Sequence, residues 1–184
     1  QMLYENYEQV VENVKKACER SGRNFQDVTI IAVSKTKPLS DVEELLSHGV
    51  MEFGENKVQE MVDKYEHVSK PVHWHLIGHL QTNKVKYIVD KACMIHSVDS
   101  VHLAKEIEKE AAKKDVIVNV LLEINIAQEE TKFGIREDEV YSLIDAIKDM
   151  PHIRVKGLMT IAPFVENPEE NRGYFREMHQ LSLD

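Results

Sequence analysis

The stretch Ile30-Ile31-Ala32-Val33-Ser34-Lys35-Thr36-Lys37-Pro38 decides how this chain reads. Its apolar residues run without a polar break, stop at a lysine, and leave a proline placed to open the next helix. A continuous Val/Ile run bounded by a turn signal is the pattern of an interior parallel strand, buried on both faces. In sheets of such strands, ligands bind beyond the carboxyl ends. Lys35 is therefore expected where an amine is partly desolvated and usable as a nucleophile. Taken alone, the segment favours a plainer reading, a lysine marking where a strand meets water. The rest of the chain changes that balance.

Working outward, strand-like and helix-like segments alternate. Leu3, Tyr7, Val10, Val11, Val14 and Ala17 form one face of a leading helix. The strand predicted over 28–34 is followed by a short helix carrying Val42, Leu45 and Leu46, closed by Gly49 at a helix-end position. A brief strand over 51–54 precedes a helix with Val58, Met61, Val62 and Tyr65 at i, i+3, i+4 and i+7. Strand 72–77 leads to a helix with Val85, Ile88 and Val89, and strand 94–98 to one with Leu103, Ile107 and Ala111. Strand 117–126 leads to a helix with Val140, Leu143, Ile144 and Ile147, and strand 153–161 to a last helix with Phe175, Met178 and Leu181.

Six such βα units predict an α/β fold with a parallel sheet and right-handed crossovers. An open doubly wound sheet and a TIM-type (β/α) barrel both satisfy that alternation. No Gly-x-Gly-x-x-Gly follows any strand, which weakens the dinucleotide-binding reading. Polar residues instead cluster after the ends of many different strands: Lys35, Asn56, His79, Asp99, Asn125 and Thr160. Barrel active sites are collected in this way.

With 42% hydrophobic and 30% charged residues, the composition is that of an ordinary soluble globular protein, and residues 1–184 read as a single domain. The 23 Lys and Arg against 32 Asp and Glu give a formal charge of −9, which argues against a nucleic-acid-binding surface. No apolar run approaches the roughly 18 residues of a membrane span. The start, Gln1-Met2-Leu3-Tyr4-Glu5-Asn6, has no basic region followed by an apolar core, so no secretory signal is read there. Its glutamine suggests that residues precede it. Cys18 and Cys93 are too few and too far apart for a disulfide framework, so the expected setting is a reducing cytoplasm.

Four short motifs carry candidate chemistry. His73-Trp74-His75 places two imidazoles on one face of a strand, a spacing that can hold a metal. No ligand-spaced Cys, His, Asp or Glu accompanies it and one strand cannot complete a site, so the pair reads as packed or hydrogen-bonded and no metal is expected. Glu55-Asn56-Lys57-Val58-Gln59-Glu60 lies at a strand-to-helix junction, where Asn56 serves either as an N-cap or as a donor to a ligand. In Ile77-Gly78-His79-Leu80-Gln81-Thr82-Asn83-Lys84, the glycine after a strand lets backbone approach a ligand, and His79, Gln81 and Asn83 offer hydrogen-bonding groups. Met159-Thr160-Ile161 ends the sixth strand, where Met159 either lines a pocket or fills the core.

Individually weak, these motifs are specific in their order and spacing. Ala32-Val33-Ser34-Lys35-Thr36-Lys37, Phe53-Gly54-Glu55-Asn56-Lys57-Val58-Gln59-Glu60 and the segment from His75 to Lys84 are followed by Ile95-His96-Ser97-Val98-Asp99 and Val155-Lys156-Gly157-Leu158-Met159-Thr160-Ile161. Over nearly its whole length the chain resembles the YggS/PROSC family of pyridoxal phosphate homeostasis proteins, relatives of the N-terminal barrel of alanine racemase. The resemblance implies a TIM-type barrel in which Lys35 carries pyridoxal 5′-phosphate as a Schiff base. It also implies that Asn56, His79 and Met159 line the cofactor pocket.

The resemblance departs from the family at the C-terminus. Family members continue for about two more βα units, roughly 60 residues at the usual barrel repeat. Those segments hold the cofactor phosphate and place an arginine at the pyridine nitrogen. The expectation is thus a barrel domain incomplete at its C-terminus, with exposed strand edges and weak cofactor binding.

The function so implied is a monomeric cofactor carrier acting in cytoplasmic pyridoxal phosphate homeostasis without evident catalysis, with pyridoxal-phosphate-dependent apo-enzymes as recipients. The alternative is a racemase-like enzyme, which in this fold needs a second base supplied by a further domain. A third reading, an interaction module, rests only on exposed edges and an acidic surface.

Overall fold

A computed structural model describes residues 2–125 and 134–160. Its centre is one parallel sheet of strands β1 (Ala32–Val33), β2 (Glu52–Glu55), β3 (His73–Leu76), β4 (Ala92–Val98), β5 (Val118–Glu123) and β6 (Ile153–Met159). The strands lie side by side in chain order, β1-β2-β3-β4-β5-β6, and every pairing is parallel. A doubly wound sheet reverses its order at a switch point, whereas a barrel adds each strand beside the last. The observed order is the barrel one.

Among the described residues, five α-helices accompany the sheet: α1 (Met2–Ser21), α2 (Leu39–Ser47), α3 (Val58–His67), α4 (Val101–Lys114) and α5 (Val140–Ile147). Their apolar stripes form the core, with Val42, Leu45 and Leu46 of α2, Met61 of α3, Leu103, Ile107 and Ala111 of α4, and Leu143 and Ile147 of α5 all buried. Ser100 caps α4, its hydroxyl accepting from the Leu103 N–H at 3.0 Å. The stripe of α1 is looser. Tyr4 and Tyr7 pack against the core and Cys18 is buried, but Val10 stays 49% exposed. Tyr4 also stacks on His48 beyond α2, ring centroids 3.8 Å apart.

Period-two alternation sorts the strands. Phe53, Trp74 and Leu76 are fully buried, and their face also carries Glu55, which meets α3. The opposite face of β2 and β3 carries Glu52, Gly54, His73 and His75.

Two predicted elements differ, and a third falls outside the described residues. Among the described residues, the strand expected over 28–34 is paired only at Ala32–Val33, because its neighbour β2 is four residues long and the chain before it makes a 3₁₀ turn at Phe25–Asp27. The helix expected through Val85, Ile88 and Val89 is a 3₁₀ helix, Thr82–Tyr87, with Ile88 and Val89 buried on the turn just after it, because a tight turn suffices in the short link between β3 and β4. The predicted last helix with Phe175, Met178 and Leu181 lies outside the described residues. Among the described residues, β1 and β6 are the sheet's edges, with Val33 52% and Val155 38% exposed. No described helix is long and apolar enough to cross a membrane.

Candidate functional site

Lys35 follows β1 on a turn at the carboxyl end of the sheet. Its side chain is exposed, so the partly desolvated amine expected from the sequence is not what the structure shows: β1 is an edge strand and its turn stands at the rim. The backbone of that turn is nevertheless tightly held. The Ser34 carbonyl accepts from the Lys37 N–H at 3.1 Å and from the Lys64 ammonium at 2.6 Å. Thr36 sits in the left-handed region at φ +60°, an uncommon place for a β-branched residue, and its N–H donates to Glu60 at 2.9 Å.

Behind the turn is a buried ion pair. Lys64 Nζ lies 2.9 Å from Glu55 Oε2, with side-chain exposures of 10% and 0%. Ser34 Oγ donates a short hydrogen bond to the same carboxylate oxygen, while Glu55 Oε1 is buried without a hydrogen-bond partner among the described residues. Such a pair adds little net stability, but removing one partner is costly. Its visible effect is positional: Lys64 and Glu60 on α3 and Glu55 on β2 together fix the backbone on both sides of Lys35.

Glu55, Glu60 and Lys64 were not among the residues singled out from the sequence. A signal was present, because Glu55 shares a strand face with buried Phe53 and Lys64 shares a helix face with buried Met61. Two opposite charges on two apolar faces are a pairing signal.

The other expected residues occupy the same end of the sheet. Asn56 directly follows β2 and is half-buried. It is not a helix cap: Lys57 occupies the N-cap position of α3 and makes no side-chain cap bond. Gly78 lies against it so closely that a Cβ there would stand 2.5 Å from the Asn56 carbonyl oxygen. The glycine thus admits the neighbouring loop's backbone. His79 is exposed beyond β3, and Met159, the last residue of β6, is half-buried. Thr160 donates to the Ile124 carbonyl at 3.0 Å, joining the ends of β5 and β6.

Two carboxyls at this end interact. Glu123, which ends β5, is pushed up to about 7 by burial and by the nearby Asp99 charge. Burial also raises Asp99, against the Gly134 N–H at 3.3 Å and the neighbouring His79, which favour its charged form. The carboxyl end of the sheet that carries Lys35 and Asn56 thus also carries Glu123, which takes up a proton near neutrality beside Asp99.

Residues 6–182 match the family described as alanine racemase, N-terminal domain. The chain belongs to this family. Within it, the chain is 43% identical to a pyridoxal phosphate homeostasis protein of Aquifex aeolicus over 178 residues, covering 96% of this chain and 78% of the relative. Among solved structures, PipY of Synechococcus elongatus, determined with pyridoxal phosphate bound, superposes with a TM-score of 0.81 at 28% identity, covering 95% of this chain and 80% of that one. An alanine racemase of Clostridium difficile superposes with a TM-score of 0.69 at 16% identity, over 84% of this chain and 42% of that one, a likeness of fold alone. The fold is the TIM-type α/β barrel fold of the alanine racemase N-terminal family, and its members named for pyridoxal phosphate homeostasis are this chain's near relatives.

Proposed function

We propose that this protein holds pyridoxal 5′-phosphate reversibly on Lys35 and serves cytoplasmic pyridoxal phosphate homeostasis as a monomeric carrier rather than as an enzyme. Recipient apo-enzymes would take the cofactor from it. The observation that carries this reading is an exposed lysine at a strand's carboxyl end, on a turn locked by Lys64, Glu55 and Glu60, in a chain so similar to pyridoxal phosphate homeostasis proteins. A carrier needs an accessible amine on a fixed backbone, and the Lys35 turn supplies both.

The residues present fit the group. Bound there, the cofactor would supply an aldehyde reactive toward an amine. Lys35 Nζ would make the covalent attachment. The Asn56 amide and His79 would donate to the cofactor's polar edge, and Met159 would bound the pocket on the β6 side. Thr36, held by Glu60, keeps the turn from following the lysine as its side chain moves.

The test is an absorbance spectrum of the purified chain with added pyridoxal phosphate, then borohydride reduction and peptide mapping. A visible-edge band and a reduced adduct on Lys35 support the reading. An adduct spread over surface lysines, or none even at pyridoxal phosphate concentrations high enough to load a weak site, overturns it. Exchange of the Cα hydrogen of alanine at a useful rate would overturn the carrier assignment in favour of a racemase-like enzyme.

A further inference from the structure

We propose that Glu52, His75 and Cys93 form a divalent-metal site suited to zinc, built at the amino-terminal side of the sheet and independent of the Lys35 rim. Glu52 starts β2, Cys93 is second in β4, and His75 is the third of the four residues of β3, the strand between them. Their ligand atoms all fall within 4.8 Å of one another. His75 Nε2 is 2.9 Å from Glu52 Oε1 and 3.4 Å from Cys93 Sγ. Tetrahedral zinc, with bonds of about 2.1 Å to N and O and about 2.3 Å to S, sets donor–donor edges of roughly 3.4 to 3.6 Å. The imidazole–thiol edge already has that length, the imidazole–carboxylate edge must lengthen by about half an ångström, and the carboxylate and thiol, within 4.8 Å of one another, close onto the ion.

The groups around these three are those a metal site uses. A ligating histidine has its second ring nitrogen hydrogen-bonded, and a ligating carboxylate is held through its free oxygen. Here His75 Nδ1 meets His96 Nε2 at 2.9 Å, and Glu52 Oε2 is bonded to His73 Nδ1. His75 is 4% exposed and His96 9%, so the central ligand is already desolvated and oriented. A cavity of about 610 Å³ lined by Tyr7, Val28, Gly49, Met51 and Glu52 gives an ion a route to the carboxylate. Three protein ligands with mixed oxygen, nitrogen and sulfur donors leave one coordination position open.

The proton balance is definite. A carboxylate only accepts, so a neutral His75 donates its Nε2–H to Glu52 and accepts at Nδ1 from the His96 Nε2–H. Burial and the Glu52 charge push the Cys93 thiol up to about 11, and Glu52 itself is lowered by its two histidines against the opposing effect of burial. His96 is held down to about 4 by burial and His75 and is neutral. When a metal binds, bonds form to S, N and O and the S–H bond breaks, its proton leaving to solvent. His75 exchanges its Nε2–H for an Nδ1–H and now donates to His96, which moves its own proton to Nδ1. The imidazoles release nothing net. Each metal ion therefore displaces one proton.

The experiment uses the whole chain with Co(II) and Zn(II). One equivalent of Co(II) is expected to give a sulfur-to-cobalt charge-transfer band. Calorimetry of Zn(II) binding in buffers of different ionisation enthalpy should return about one proton per metal. Cys93→Ser should abolish the band, His75→Gln should weaken zinc at least about tenfold, and Cys18→Ser, at the other free cysteine, should change neither. Absence of the band in the unmodified chain, its survival in Cys93→Ser, or zinc binding without proton release would each overturn the site. The first and third of these readouts need no variant, so a misfolded mutant cannot shield the proposal. Adduct formation at Lys35 is read separately.

Discussion

The Lys64 ammonium, carried on α3, donates to the Ser34 carbonyl at 2.6 Å, so the residue before Lys35 is held by a buried cation from the following βα unit. The same ammonium neutralises Glu55 at 2.9 Å. Lys64→Met would leave Glu55 buried and unpaired, at a cost of about 3–5 kcal/mol, visible as a lowered urea midpoint. The double variant Glu55→Leu/Lys64→Met removes both charges and should recover most of that stability. Adduct formation at Lys35 should stay weakened, because Ser34 has lost its bonds to Lys64 and Glu55, leaving the Glu60–Thr36 bond to hold the turn. Full recovery of both would make the pair purely structural.

Lys35 itself is exposed, so its removal should test chemistry without disturbing the fold. Lys35→Ala should change stability by no more than about 0.5 kcal/mol and abolish the borohydride-trapped adduct. An adduct that simply moves to Lys37 would show that the rim, not this lysine, directs attachment.

Gly78 has no room for a side chain. In Gly78→Ala the new Cβ would meet the Asn56 carbonyl oxygen at 2.5 Å, and that atom belongs to backbone. The loops after β2 and β3 must part, costing about 1–3 kcal/mol and displacing Asn56. Thermal melts and the pyridoxal phosphate titration should both move. A variant with unchanged melting would show that the loops already yield freely.

Glu123 makes stability depend on pH in a stated direction. Its folded-state value of about 7 lies above the ordinary 4.5, so the folded chain holds the proton more tightly than the unfolded one. That contribution is fully present below the unfolded value and is lost as pH rises through about 7. Relative to Glu123→Gln, which mimics the protonated form, the unmodified protein should lose stability across this window, by at most about 3 kcal/mol. Parallel melting profiles for the two proteins would rule this out. Asp99 shares the titration, so the measured midpoint belongs to the pair.

Much of the fold was legible because strands and helices announce themselves locally. The stripe Val42, Leu45, Leu46 and the alternation around Trp74 are set by residues a turn or a pleat apart. The same local rules misjudged the short β1, whose length is limited by its partner, and the 3₁₀ segment at Thr82–Tyr87, where the apolar spacing suits both helix types. Lys35 and Asn56 were legible as residues just past strand ends. That Asn56 is no cap depends on where α3 begins, and that Lys35 is exposed depends on β1 being an edge.

By itself, then, the sequence determined the order and kind of the βα units and the placing of Lys35 after the first strand, since periodicity and turn chemistry act over a few residues. Only the tertiary structure decided that Lys64 and Glu55 would hold the Lys35 turn, and that Glu52, His75, Cys93 and His96 would meet. These groups lie on separate elements, and only the register of adjacent parallel strands and the seating of α3 bring them within bonding distance.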